Sequence, residues 1–482
     1  MRETILRGAG QNDSERFLFL LAEQTFLNIW TYPNVYRNQK INGSDKGDGK
    51  ELCDVLIVCG DDVIVFSDKD IGWCETANAE VAWGRWLREA VLSSANQLYG
   101  AMRWLKEGGL SSRLYLDKAC TQAFPIELPP PERMRLHGIV VAAGANDASK
   151  RARPHFEGRL TIDSGCAGSK KRANFPAFTL GDIDPSKPFV HVFDRGGIAM
   201  LLTHLNTITD FANYLNLRER AIRTKQIGSA CGEDDILGVY LQSTLDDGSH
   251  AFPFREGLKA NILRGRLGVV LNDAGFKRKQ IADQESYLWD ELISQFGTYL
   301  IEGTAALEGD ANTFHERQTV LRVMAQESRL SRRMFAQGIL DGLETMAAQT
   351  EPRYARFFLP HETSDRQDNA YIFLMMAVPE FWHPNRDYEK YRDFRKLTLK
   401  AYCYALLQKH PELRTCIGIA VDAPPPFPVG GNSQDLAYIN REIISRGFSE
   451  HFDRFCADHG VLRTYDTAAS RSILSVDEYP QG

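Results

Sequence analysis

The sequence predicts an α/β protein in its first part, a mixed central sheet flanked by helices, followed by an α+β C-terminal region. Three observations carry this expectation. Residues 52–59 and 62–69 are short apolar runs rich in Val, Ile, Leu and Phe that meet at Gly60-Asp61-Asp62, a hairpin pattern. Both runs are too apolar for a solvated sheet, which places them at the centre of a sheet covered on both faces. Residues 80–106 carry apolar groups at helical spacing, and 136–143 is a further buried strand.

The chain has 482 residues, enough for two or three domains with substantial cores. With 43% hydrophobic and 25% charged residues it has the composition of an ordered globular protein. No apolar run reaches the length needed to span a bilayer and the N-terminus carries no signal-peptide pattern, so no membrane partner and a cytoplasmic location are expected. The nine cysteines are scattered without a CxxC pair, which argues against a zinc site or a disulfide framework. A net charge of −6 excludes indiscriminate polyanion binding by the whole surface and leaves room for local basic patches.

In chain order, 14–30 reads as a first helix with Ser14 or Asp13 as N-cap and an apolar stripe through Phe17, Leu21, Phe26 and Leu27 or their neighbours. Residues 30–35 read as a first strand that Pro33 makes an edge or ends early, and 38–50 is a polar loop. The helix at 80–106 buries Trp83, Leu87, Ala90, Val91, Leu98, Ala101 and Leu105, with Gln97 at the border of the stripe and Trp86 and Trp104 as packing groups. Two basic clusters follow, Lys150-Arg151-Ala152-Arg153 and Lys170-Lys171-Arg172, near strands at 159–163 and 188–193. Solvated loop charge is the usual reading of such clusters; if they flank the open end of the hairpin they are the best phosphate contacts on offer, while His191 reads as a structural histidine. Residues 197–223 read as one long helix closing the first domain, with 229–234 as its boundary.

What the hairpin can do depends on its register, because a one-residue slip moves every side chain across the sheet. A two-residue loop sets Asp54 opposite Ser67 and puts Asp54, Ser67 and Lys69 on one face; a three-residue loop sets Asp54 against Asp68 instead. In either case an acid and a lysine finish close together at the open end of a buried hairpin. An Asp opening one strand and an acid-x-Lys pattern closing the next resemble the PD-(D/E)xK, restriction-endonuclease-like nuclease superfamily, whose core is helix, three strands, helix, strand. The resemblance covers residues 13–143. Ser67 stands where that family has its second acid, and Asp68 is one residue late.

The resemblance implies a Mg²⁺- or Mn²⁺-dependent endonuclease acting on nucleic acid, DNA ahead of RNA, in the manner of restriction or defence nucleases. Asp54 and Asp68, with Glu15 or Glu23 of the first helix, are then the metal ligands, because hard cations prefer carboxylate oxygens. Lys69 orients water or steadies the phosphate, and Gln97 reaches in from the following helix. Glu51 is a reserve carboxylate that strict strand alternation turns away from Asp54. The alternative is a catalytically inactive module kept for nucleic-acid binding or complex assembly, with Ser67 as its support.

The expected domains are a nuclease-like domain at 1–228, a connecting region at 229–310 and an α+β domain at 311–482. In the last, 313–348 and 387–409 read as helices, 435–458 as mostly helix, and 353–359, 370–378 and 415–422 as strands. Neither a P-loop nor a G-x-G-x-x-G is present, so the Pro- and Gly-rich stretch after Asp422 is a loop and not a phosphate cradle. The helices of this half are candidates for a protein partner or a homodimer contact, with Arg329, Arg332 and Arg333 suited to an acidic partner.

Overall fold

A computed structural model of the chain describes residues 8–38, 49–76, 78–108, 113–168, 174–245, 248–301, 313–348, 351–360, 368–377, 388–424, 433–463 and 478–480. The basic cluster at 170–172 and most of the polar loop at 38–50 lie outside these residues. The fold is mixed α/β, as expected, with three mixed sheets among the described residues. The chain divides into two compact units, one made of Met1–Ile281, Asp290–Arg329 and Asp477–Gly482, the other of Ala282–Trp289 and Leu330–Val476.

The first unit opens with helix α1 (Asp13–Phe26), whose N-cap is Asn12: its side chain accepts from the Glu15 amide. That overturns the expected cap; the buried face runs through Leu18, Phe19, Ala22 and Phe26, on and beside the expected stripe, and leaves Phe17 exposed. Strands β1 (Thr31–Asn38), β2 (Gly49–Cys59) and β3 (Asp62–Asp70) then form an antiparallel meander. Pro33 is tolerated because the short strand β4 (Leu114–Tyr115) pairs with β1 only at Tyr36 and Arg37.

The expected helix at 80–106 is present as α2 (Ala79–Trp86) and α3 (Ser93–Lys106), joined by a π-helical turn at Leu87–Leu92. The seven apolar residues of the expected stripe are all buried. This crossover returns the chain to β5 (Arg135–Ala143), parallel to β3, and the short helix α4 (Asn146–Ala152) follows. A second sheet then takes β6 (Thr161–Asp163) and β7 (Thr179–Leu180), while β8 (Val190–Phe193) closes the first sheet beside β5.

The single helix expected at 197–223 is two, α5 (Arg195–His204) and α6 (Ile208–Arg223). Thr207 breaks it by accepting from the Asp210 amide as the N-cap of α6. Nor does the chain leave the first unit at 229–234. Strand β9 (Ile227–Ala230) pairs with β6, and helix α7 (Glu233–Leu241) is tied to α6 by a buried network. There Arg218 donates to both Glu233 oxygens at 2.8 Å, the Tyr214 hydroxyl donates to Glu233 at 2.5 Å, and Arg218 lies 3.2 Å from His191 Nδ1. Burial and the adjacent guanidinium hold His191 well below its ordinary range, so it is neutral and structural. Strand β10 (Ala260–Ile262), helix α8 (Arg266–Asn272), the long helix α9 (Ala274–Ile301) and α10 (Thr313–Ala325) follow.

The second unit contains helix α11 (Arg329–Ala348) from residue 330 and strands β11 (Arg353–Phe358) and β12 (Asn369–Met376). Helix α12 (Tyr388–Lys409), strands β13 (Thr415–Asp422) and β14 (Asp435–Asn440), and helix α13 (Arg446–His459) complete it. Two expectations fail here. Residues 313–348 are two helices, and 435–440 is an edge strand paired with β13 whose alternate residues Asp435, Ala437 and Ile439 are buried. Arg329, Arg332 and Arg333 are also not surface groups awaiting a partner. All three are buried; within the first unit Arg329 bonds Asp290 at 2.8 Å, and within the second Arg333 bonds Asp283 at 3.0 Å.

Candidate active site

The hairpin register resolves the alternatives left by the sequence. Cys59 pairs with Asp62, so Gly60 and Asp61 form a two-residue loop, and Gly60 takes φ 66°, the left-handed first position of a type II′ turn. The ladder runs to Val55 opposite Phe66, and its continuation sets Asp54 across from Ser67. By alternation Asp54, Ser67 and Lys69 share one face and Asp68 takes the other. Helix α3 covers the Asp54 face: Gly138, paired with Val65, has Met102 only 3.0 Å from where a Cβ would stand. Helix α1 covers the Asp68 face, where the Ser14 hydroxyl donates to the Asp68 carboxylate.

Beyond Val55 the strands part, and Asp54 turns one oxygen back to accept the backbone N–H of Asp68 at 2.5 Å. Asp54 is buried, 8% exposed, and its carboxyl is pushed up to about 7. Burial is the main cause; the Asp68 amide and the Lys69 ammonium oppose it, and the charges of Glu51 and Glu15 add to it. Two further acids, Glu51 from the same strand and Glu15 from helix α1, thus act on Asp54 beside a lysine.

Asn34 gathers two of them. It lies between the pairs Pro33–Val55 and Val35–Cys53, hence across from Asp54, and its φ of 45° is in the left-handed region that Asn tolerates better than most residues. Its side-chain amide donates to Glu15 at 3.1 Å and to Glu51 at 2.9 Å. Gln11 adds a backbone N–H to Glu15 at 2.8 Å and a side-chain amide to Glu51 at 3.2 Å. The presence of Glu51 corrects the sequence expectation. The register shifts from Val35–Cys53 to Tyr36–Glu51, so β2 holds one extra residue, and this bulge breaks the alternation on which the reserve rank of Glu51 rested.

Asp68 belongs to a neighbouring cluster. One of its oxygens accepts from Ser14; the other is buried with no hydrogen-bond partner. Arg195 donates to Ser14 at 2.5 Å and to Asp70 at 3.2 Å. Burial raises the Asp68 carboxyl above its ordinary range, against the pull of Ser14 and Arg195. The charges of Glu15, Glu51 and Lys69 therefore bear on Asp54, while Asp68 is tied to Asp54 through its backbone amide and its own carboxyl also feels Glu15. Gln97 does not join them: it is exposed on α3, opposite the buried row of Ala95, Leu98 and Met102.

The second acid expected on β3 is displaced in the same way, since Asp68 faces α1 and Ser67, buried, holds the position two residues before Lys69. Of the basic residues at 150–153, Lys150 and Arg151 are exposed, whereas Arg153 bonds backbone carbonyls and lies 5.1 Å from the Phe178 ring. Asn34, Gln11, Ser14 and Arg195 carried no signal of their own in the sequence, because their roles follow from contacts between distant segments.

Among the described residues no three His, Cys, Asp or Glu side chains are already arranged around a common point as a metal cage. The donors that do meet are carboxylate oxygens, which in kind suit a hard cation such as Mg²⁺ or Mn²⁺ and not a soft one. A buried Asp54 that holds its proton to about 7 and an orphaned Asp68 oxygen are both groups whose negative charge lacks sufficient compensation from the protein. Comparison with protein-family models, curated proteins and solved structures finds no match to this chain.

Proposed function

We propose that the open end of the β2–β3 hairpin is a divalent-cation-dependent nuclease site that hydrolyses phosphodiester bonds, DNA ahead of RNA. The observation that carries this reading is Asp54, a buried carboxylate pushed up to about 7 with Lys69 beside it and Glu15 and Glu51 pressing on it. The element order supports it: α1, the β1–β2–β3 meander, the α2–α3 crossover and the parallel strand β5 follow the helix, three strands, helix, strand of the restriction-endonuclease-like core. Asp54, Glu15 and Glu51 would hold the cation, whose chemistry there is to lower the pKa of water and neutralise phosphate charge. Lys69 places a positive charge on the Asp54 face, suited to orienting the attacking water or the phosphate. The Asp68 amide fixes the Asp54 carboxylate, and the Ser67 hydroxyl offers a neutral oxygen in place of a second acid.

One arrangement favours a second reading, an inactive member kept for nucleic-acid binding or assembly. Ser67 occupies the acid position and Asp68 is engaged by Ser14 on the other face. Cleavage of plasmid and single-stranded substrates with Mg²⁺ or Mn²⁺, beside EDTA, Asp54→Asn and Lys69→Ala controls, tests the first reading. Cleavage lost in all three controls is the expected result. Binding without cleavage, with cleavage restored by Ser67→Glu, selects the second.

A further inference from the structure

The acid site accounts for none of the positive charge on the adjacent edge of the first sheet. Arg37 and Lys50 stand directly opposite each other on β1 and β2, a pairing of like charges that weakens a sheet. Arg113 joins them from the residue before β4, whose Leu114 pairs with Arg37. Both guanidiniums converge on one ring, with Arg37 5.8 Å and Arg113 5.5 Å from the centroid of Trp104. Among the described residues no carboxylate forms an ion pair with Arg37, Lys50 or Arg113. Arg37 is half-buried, and burial first and Arg113 second lower its proton affinity, so the repulsion is felt and not dispersed in solvent.

Free surface cations spread apart; these are held together by a strand ladder and an indole in a chain whose net charge is −6. We propose that Arg37 and Arg113, arranged on Trp104, together with Lys50 across the ladder from Arg37, bind the phosphate backbone of a nucleic acid strand. A guanidinium resting on an aromatic ring keeps its N–H fork free, and that fork matches phosphate oxygens. Cations interleaved with an aromatic platform suit a ligand that alternates phosphates with bases. This binding does not rest on the proposed function.

The test is binding of labelled single-stranded DNA, duplex DNA and single-stranded RNA in EDTA across a salt series, with polyglutamate as a competitor that lacks phosphate. In Arg37→Gln/Arg113→Gln the affinity is expected to fall and the slope of log K against log salt to lose about two units, about one per phosphate contact. Its thermal midpoint should stay level or rise as the repulsion is relieved, and Arg37→Lys/Arg113→Lys should keep most of the slope. Should the double variant fail to fold, the exposed Lys50→Gln reads the loss of one unit. Unchanged affinity and slope in these variants overturns the inference, as does displacement by polyglutamate equal to that by DNA. A chain that binds through this patch but never cleaves refutes the nuclease reading alone.

Discussion

At the residue scale, the chemistry of this protein centres on a carboxylate that the fold makes reluctant to ionise. Asp54 has its proton affinity raised from the ordinary value of 3.8 to about 7, chiefly by burial. The folded state therefore binds a proton that the unfolded chain has released. Stability contributed by protonated Asp54 is present below about pH 4 and is lost as pH rises toward 7, a loss on the order of a few kcal/mol. In the metal-free protein Asp54→Asn should flatten that part of the pH–stability curve and raise the midpoint at about pH 8, as read by thermal melts across pH. A divalent cation competes with the same proton, so Mn²⁺ should raise the midpoint more at about pH 8 than at about pH 6. A pH profile that Asp54→Asn leaves unaltered would count against the assigned environment. The acids and the lysine at the strand and helix ends were legible as a local pattern. The orientation of Glu51 was not, because a bulge is invisible to strict alternation, and neither was the contact of Asp68 with Ser14, which lies 54 residues away.

At the element scale, the apolar runs that make β2, β3, β5 and the α2–α3 crossover were readable, since burial on a fixed period leaves its trace in the sequence. Helix ends were harder. Residues 197–223 keep an apolar periodicity through the break at 205–207, and only the Thr207-x-x-Asp210 pattern marks a new start. Thr207 is fully buried, its hydroxyl donates to Asp210 at 2.7 Å, and the Arg329 amide donates to the same carboxylate at 2.9 Å. Thr207→Ala should therefore destabilise the protein by about 1 kcal/mol, within a range of roughly 0.5–2 kcal/mol, measured as a lowered urea midpoint. Thr207→Ser, which keeps the cap, should lose much less. Residues 435–440 were misread for a related reason. Asp-Leu-Ala-Tyr-Ile-Asn is too short to declare its period, and its pairing with β13 decides that it is a strand.

At the scale of the whole molecule, the two units have separate sheets and separate buried charge networks. In the first, Arg218 and Glu233 are buried together; in the second, Arg395 is fully buried against Asp422 and Asp435 beneath Tyr388 and Ser433. Removing one member of a buried ion pair strands the other, at roughly 3–5 kcal/mol. Glu233→Gln and Asp435→Asn should accordingly lower the stability of different units, and calorimetry should resolve two transitions, each moved by its own variant. One transition displaced equally by both substitutions would mean that the units unfold together. The sequence foresaw two compositions of element, α/β and then α+β, but not their boundary. Strand β9 rejoins β6 after the expected end of the first domain, and such long-range pairing leaves no local mark.

By itself the sequence determined the class of fold, the buried hairpin and the presence of acids and a lysine at its open end, because each follows from local periodicity and residue type. The tertiary structure alone decided which acids meet. A two-residue turn, one extra residue in β2 and the left-handed Asn34 bring Glu15 and Glu51 to bear on Asp54, while the Asp68 carboxylate is engaged by Ser14 on the other face. The physical reason is that strand register and bulges are set by the packing of the whole sheet between α1 and α3. A shift of one residue there changes which charges share a face.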